Sequence, residues 1–221
     1  MRITTWNCAR GPFAIKRTAL DHLESDIVVL TEAPRPKAGD SDVHWFGKGS
    51  LGIAMYAARP FTIHRTHDRK STADVYPVAV RGPVSFTLVG VWTHPTPNYR
   101  KPLLDGLAAC ARCPGPWVVA GDFNGNVKFD TPRRKASWRQ CFDTLGARGL
   151  VSAYHEHTGI ALGHDAELPT HYFQWKRDRP FHLDYCLVPR IWRIEAVTIG
   201  SYDDWATLSD HRPVTVDVVP G

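Results

Sequence analysis

The stretch PWVVAGDFNGN, residues 116–126, poses the question on which the fold turns. Trp117, Val118, Val119 and Ala120 make a short apolar run of the kind that forms a buried strand. Gly121, Asp122, Phe123, Asn124, Gly125 and Asn126 follow without a gap. Asp, Asn and Gly favour tight turns, so a plain turn is one explanation. The other is a ledge of polar side chains that a buried strand delivers to the rim of a cleft.

Outward from this stretch, polar residues recur wherever an apolar strand runs out. Residues 2–8 alternate as a strand, with Ile3 and Thr5 on one face and Trp6 on the other, and bring Asn7 to its end. DIVVLTEA reads as a buried strand ending at Thr31–Glu32. VYPVAV and VSFTLVGVWTH read as a hairpin around RGP, and the second of them ends in His94. FHLDYCLVP embeds Asp184 in an apolar run, and LSDHRPVTVDV places Asp210 and His211 just before the last strand. LGIAMYAA, FTIHRT, PTHYFQWK and RIEAVTI supply further strands, the first two joined through Arg59–Pro60. Residues 14–23, 99–112 and 134–148 suit helices, and GLVSAYHEHTG a short one. Strands dominate and several connect directly, so mixed sheets flanked by helices, in two or more layers, fit better than strict β-α-β alternation.

A lone Asp in a turn or a lone His at a strand end is usually structural. Asp184 resists that reading, because Leu183, Tyr185, Cys186, Leu187 and Val188 argue for a buried strand. A carboxylate there is costly unless it is paired, and His is the natural partner. Hard oxygen donors such as Glu32 and a nearby Asp favour Mg²⁺ or Mn²⁺. An Asp–His pair can act on a water or a leaving group, and Asn can hold a nucleophile or a phosphoryl oxygen. Together they form a kit for metal-assisted phosphoester hydrolysis.

TWN, LTE, GDFN, HLDY and SDHRPV, in this order from Asn7 to His211, resemble the endonuclease/exonuclease/phosphatase superfamily. That superfamily includes pancreatic-type deoxyribonuclease, abasic-site endonucleases, sphingomyelinases and inositol-polyphosphate 5-phosphatases. The resemblance spans nearly the whole chain and implies a single domain over residues 1–221. Its fold is an α/β four-layer α-β-β-α sandwich, two mixed sheets face to face with helices outside. It implies that Glu32 is the principal divalent-metal ligand, with Asn7 beside the metal and Asp210 a further metal-side carboxylate. Asp122 resembles the residue that orients or deprotonates the attacking water, and Asn124 the neighbour that holds phosphate or nucleophile. His211 resembles the His that touches the scissile phosphate, oriented by Asp184; either Asp122 or His211 is the general base. His94 sits where relatives carry a phosphate-side residue. Ala9 stands where some relatives have a second acidic metal residue, and no upstream carboxylate is evident as a partner for His94, where WFGKGSLGIAMY offers Lys48 instead. Asn98 and Asn126 are further polar contacts for substrate or plain turn residues. In abasic-site enzymes the region matching PTHYFQWKRDRPFHLDY receives a flipped-out sugar, a role open here to Tyr172, Trp175 and Phe181, or these three pack between sheet and helix.

Composition narrows the partners less. The net charge of +5 and pI near 9.0 fit a polyanion without requiring one. Basic residues cluster beside Trp in TPRRKASWRQ (Arg133, Arg134, Lys135, Arg139, with Trp138) and QWKRDRP (Lys176, Arg177, Arg179, with Trp175). These are solvated faces, or phosphate contacts beside stacking rings. The odd number of cysteines, five, and an N-terminus without an apolar signal segment suggest reduced thiols in the cytoplasm. No run reaches the ~18 apolar residues of a membrane span. CARC at Cys110–Cys113 lacks a second pair at zinc spacing. The sequence therefore points to a Mg²⁺-dependent (or Mn²⁺-dependent) nuclease acting on DNA or RNA. The alternatives are a phosphodiesterase or phosphatase on a small phosphorylated metabolite, and a non-catalytic nucleic-acid-binding module. No protein partner can be inferred.

Overall fold

The structure is a computed structural model that describes residues 1–37, 40, 42–66, 74–94, 100–131 and 137–221. Along the chain run β1 (Arg2–Asn7), α1 (Phe13–Thr18), β2 (Ile27–Pro34), β3 (His44–Lys48), β4 (Leu51–Ala57), β5 (Thr62–Arg65), β6 (Val75–Arg81) and β7 (Phe86–Trp92). Then come α2 (Arg100–Ala109), β8 (Trp117–Asp122), α3 (Trp138–Ala147), β9 (Leu150–Ser152), α4 (Ala153–Thr158), β10 (His171–Tyr172) and β11 (Pro180–Phe181). The chain closes with β12 (Asp184–Pro189), β13 (Arg193–Ile199), α5 (Tyr202–Trp205) and β14 (Val214–Val219).

Two mixed six-stranded sheets carry the fold, in the orders β13-β14-β1-β2-β4-β3 and β5-β6-β7-β8-β12-β9. Side-chain alternation along each strand assigns the layers. In β8, Val118 and Ala120 face the core between the sheets, while Trp117 and Val119 face α2 and α3. In β2, Ile27 and Val29 face the same central core, while Val28 and Leu30 face α1 and α5 through Trp6, Phe13 and Trp205. Three apolar layers thus separate four layers of structure. Strands buried on both faces read as continuous apolar runs, which is why β2, β8 and β12 stand out in the sequence. Among the described helices, α4 departs from the layering. It packs against β9, β12 and β13, and its Ala153 enters the central core.

Several expectations need correction. The helix over residues 14–23 stops at Thr18 and continues as a 3₁₀ turn at Asp21–Leu23. PTHYFQWK is a strand for only two residues, because Gln174 (φ 55°) and Trp175 (φ 62°) turn left-handed and end the pairing. β4 and β5 are consecutive but lie in different sheets, so Arg59–Pro60 is the crossover between layers. β3, unanticipated, pairs with β4 at the sheet edge. Asn98 and the basic residues Arg133, Arg134 and Lys135 lie outside the described residues. Among the described residues, no helix is long and apolar enough to cross a membrane.

Candidate active site

Strand pairing brings the polar strand ends together. β1 and β2 are parallel, with Asn7 beside Thr31, so Asn7 and Glu32 emerge at one end of their sheet. β7 and β8 are parallel in the other sheet, with Trp92 beside Asp122. β12 runs antiparallel to β8 and starts with Asp184 directly opposite Asp122. β14 runs antiparallel to β1, so the residues preceding it, Asp210 and His211, arrive at the same end.

The GDFNGN turn is built for this. Gly121 has φ 146°, and a Cβ there would lie 1.9 Å from the Val91 carbonyl oxygen, so only glycine lets β8 press against β7. Phe123 is fully buried and packs against Phe142 (ring centroids 5.9 Å) and Tyr185 (5.1 Å), which pins the turn. Asn124 is left-handed at φ 48°, a conformation Asn tolerates. Glu32 is also left-handed, at φ 49°, where the register of β2 on β4 slips between Leu30 and Ala33. A Glu in this region costs roughly 1–3 kcal/mol, and such strain concentrates at functional sites. The slip turns Glu32 out of the strand's alternation and towards Asn7.

Asp122 is fully buried. Its Oδ1 accepts from the Asn124 N–H (2.7 Å), and its Oδ2 from the side-chain amides of Asn7 (2.9 Å) and Asn124 (2.8 Å). Burial, with the charge of Asp184 adding to it, pushes its pKa up to about 7 against those donors. His211 Nδ1 bonds Asp184 Oδ2 at 2.8 Å, and the Thr170 hydroxyl donates to the same oxygen at 2.7 Å. Burial disfavours the imidazolium, but the charges of Asp184 and Asp122 outweigh it and raise His211 to about 9. The loop is clamped from behind. Ser209 Oγ accepts from the His211 N–H and donates to the Asn7 carbonyl, while Trp6 Nε1 donates to the His211 carbonyl. Buried Arg212 donates to the Ser209 and His211 carbonyls and lies over Tyr172 and Tyr202 at 4.9 and 4.8 Å.

His94 has the upstream carboxylate that the sequence did not reveal: Asp74 Oδ1 lies 2.6 Å from His94 Nδ1. Lys48 lies in β3 of the other sheet, not beside His94 in sequence register. Asp74 immediately precedes β6, which pairs antiparallel with β7, and the Trp92 N–H donates to the Asp74 carbonyl. In an antiparallel pair the start of one strand lies beside the end of the other, so the hairpin register was the signal that locates it.

Among the described residues, two clusters have ligand atoms within 4.8 Å of one another: Asp122–Asp184–His211 and His171–Asp210–His211. In the first, His211 and Thr170 bond Asp184 Oδ2, and Asn7 and Asn124 bond Asp122, while Asp184 Oδ1 has no hydrogen bond among the described residues; the Asp184–His211 pair is the relay. Glu32, Asn7 and Asp210 bear oxygen donors of the kind that suits a hard cation, although neither of these clusters includes Glu32. Glu32 is half-buried, and its contacts to Asn7 Nδ2 (3.2 Å) and Arg10 Nε (3.5 Å) are long, which leaves lone pairs for a cation. The Asp210 carboxylate lies 3.6 Å from His171 Nε2 and has a lowered pKa: burial raises it, but the contacts with His171 and His211 outweigh burial.

The remaining expected residues fall elsewhere. Asn126 is buried, and its amide is spent on Glu167 (2.8 Å), the His182 carbonyl (3.2 Å) and the Tyr185 hydroxyl (3.2 Å), which ties the turn to the neighbouring loop. Tyr172 packs against Arg212 and Tyr202. Trp175 and Phe181 are exposed, as is Phe173, two residues before Trp175. Thr170, His171 and Arg212 surround the relay and were not singled out in the sequence; the Thr-His pair directly before Tyr172 was the available hint.

The sequence pattern of the endonuclease/exonuclease/phosphatase family matches residues 4–211. No curated protein sequence matches the chain. Among solved structures, it is similar to the endonuclease domain of TRAS1, a telomere-specific non-LTR retrotransposon (18% identity, TM-score 0.67, covering 97% of this chain and 96% of that one). It is similar also to the 3′ phosphatase NExo from Neisseria, solved with a product DNA hairpin (17%, 0.65, 100% of both chains). A third is the AP endonuclease LMAP from Leishmania major (14%, 0.67, 97% and 86%). At these identities the likeness shows the fold, while the pattern match runs from β1 to the relay and stops just before β14. The chain is a phosphoester hydrolase of the endonuclease/exonuclease/phosphatase family, whose members depend on divalent metal.

Proposed function

We propose that this enzyme is a Mg²⁺-dependent nuclease that hydrolyses phosphodiester bonds in nucleic acid. One observation carries the reading: the turn after β10 presents exposed Phe173, Trp175, Lys176, Arg177 and Arg179, and it is joined to the relay loop. His171 bridges to His211, and the Tyr172 N–H donates to the Asp210 carbonyl at 2.8 Å. Cations beside stacking rings, held against the reacting groups, suit a polyanion with flat bases. TRAS1 contributes an endonuclease domain, NExo is a 3′ phosphatase bound to product DNA and LMAP is an AP endonuclease, which supports the same substrate class.

In this reading Asp122, oriented by three N–H donors, takes the proton of the attacking water, and Asn124 helps to hold that water. His211 commits Nδ1 to Asp184 and turns Nε2 to the phosphoryl oxygen, where an imidazolium stabilises developing charge. His94, backed by Asp74, delivers a proton to the leaving oxygen. Glu32, Asn7 and Asp210 would hold Mg²⁺, which when bound draws charge from the phosphate. The five cysteines, none of them in a disulfide, support a reducing, cytoplasmic setting, and the match over 4–211 supports one catalytic domain across residues 1–221.

The test is cleavage of supercoiled plasmid, abasic-site duplex, structured RNA and bis(p-nitrophenyl) phosphate, with Mg²⁺, Mn²⁺ or EDTA and with His211→Ala as control. Metal-dependent cutting of a polynucleotide that is lost in the variant supports the reading. Turnover of the small diester alone moves the substrate to a phosphorylated metabolite.

A further inference from the structure

Beside His94 the two sheets part. At Gly90 they are in close contact, where Ile53 and Met55 of β4 fill the space in front of the missing side chain. Two residues on, at Trp92, they enclose a pocket of about 340 Å³, within the ~300–1,000 Å³ of small-molecule sites. Its walls come from both sheets: Phe46 of β3, Tyr76 of β6 and Trp92 of β7, with exposed Lys48 at the rim. The rings are arrayed together, Phe46 and Tyr76 with centroids 5.2 Å apart, Trp92 and His94 4.2 Å apart. The Asp74 carboxylate also lines it but is committed to His94. Nothing in the relay or the metal-side residues uses this pocket.

We propose that the pocket receives an unstacked nucleobase on the leaving-group side of the scissile phosphate, and so makes the enzyme select single-stranded or frayed nucleic acid. The proposal rests on the nuclease reading above. Three features point to this occupant. The walls are aromatic and carry few free polar groups, which suits any base through its π-face. His94 is both a wall of the pocket and the group assigned to the leaving oxygen, so whatever fills the pocket is attached to that oxygen. Lys48 at the rim is placed for the next phosphate. A base paired in a duplex must leave its stack to enter, a cost that is least for single strands.

The test uses single-stranded oligonucleotides with one cleavable phosphodiester among uncleavable methylphosphonates. A tetrahydrofuran abasic residue replaces the nucleotide on one side of it or the other, and the product ends identify the leaving side. In the wild-type enzyme, removing the leaving-side base should lower kcat/KM roughly 5- to 100-fold, as loss of one stacked base does. Removing the other base should matter much less, and the single strand should be cut faster than its duplex. Phe46→Leu and Tyr76→Leu, which keep bulk and lose the ring, should shrink the leaving-side effect to within about twofold, with thermal melting confirming that each variant is folded. Wild-type cleavage indifferent to the leaving-side base, or the same ratio in both folded variants, overturns the pocket while leaving the nuclease reading standing. Cleavage of bis(p-nitrophenyl) phosphate with no cutting of any oligonucleotide overturns both.

Discussion

Asp184–His211 and Asp74–His94 sit at the same end of the sandwich, and the two pairs are built differently. Asp184–His211 is sealed, with side chains 0% and 5% exposed, and Thr170 and Asp122 add to its network. In Asp74–His94 the carboxylate is buried at 3%, but the His is 40% exposed and leans on Trp92. A sealed pair holds charge in fixed geometry, because removing either partner strands an ion in low dielectric. An open pair exchanges protons with a substrate and with water. The contrast supports the proposed roles, charge stabilisation for the first pair and proton delivery for the second.

The largest break expected is at the sealed pair. His211→Asn and Asp184→Asn should each lower kcat/KM by about 10³–10⁴, and the double variant should fall little further, since the residues act as a unit. Additive losses in single-turnover rates would separate them. Next is stability in urea. Asp184→Ala should cost about 3–5 kcal/mol by leaving His211 buried and unpaired, whereas Asp74→Ala should cost about 1 kcal/mol because water reaches His94. Equal costs would erase the distinction drawn here.

His94→Ala should lower kcat by about 10² on a polynucleotide and by far less on bis(p-nitrophenyl) phosphate, whose leaving group needs no proton. A loss of the same size on both substrates would remove the proton-delivery role. Glu32→Gln should leave both pairs folded but raise the Mg²⁺ concentration for half-maximal rate at least about tenfold; an unchanged metal requirement would dismiss Glu32 as a ligand.

The smallest effect is a pH slope. His211 is raised from 6.5 to about 9 in the folded state, so its stabilising contribution is complete below pH 6.5 and is lost as pH rises through about 9. His182, whose pKa burial lowers to about 4, acts in the opposite sense: stability falls as pH drops from 6.5 towards 4, because the unfolded chain takes up the proton first. Asp122, raised from 3.8 to about 7, makes stability fall as pH rises between those values and so offsets His182 on the acid side. Urea midpoints should therefore fall mainly as pH rises from 6.5 towards 9, and Asp184→Asn should flatten that alkaline limb.

Most of the site was legible because strand ends are legible. An apolar run that stops at Asn7, Glu32, His94 or Asp122 announces where polar groups emerge. A carboxylate amid the apolar residues of β12 demands a partner before any fold is known. Asp74 was hidden because its partner lies across a hairpin, at the start of one strand beside the end of another. Asn126 looked like its neighbours, yet it faces Glu167, far along the chain, and holds the turn together.

By itself the sequence determined the two-faced strands, the order of the polar ends and the need for a buried acid–histidine pair, because periodicity and desolvation cost are local properties. Tertiary structure decided the rest. It turned Glu32 towards Asn7 through a left-handed residue and a register slip. It cut the β10 strand to two residues and left Trp175 and Phe181 in solvent while Tyr172 packed on Arg212. It also opened an aromatic pocket where the sheets diverge beside His94. These depend on how two twisted sheets meet, and no window of neighbouring residues contains that information.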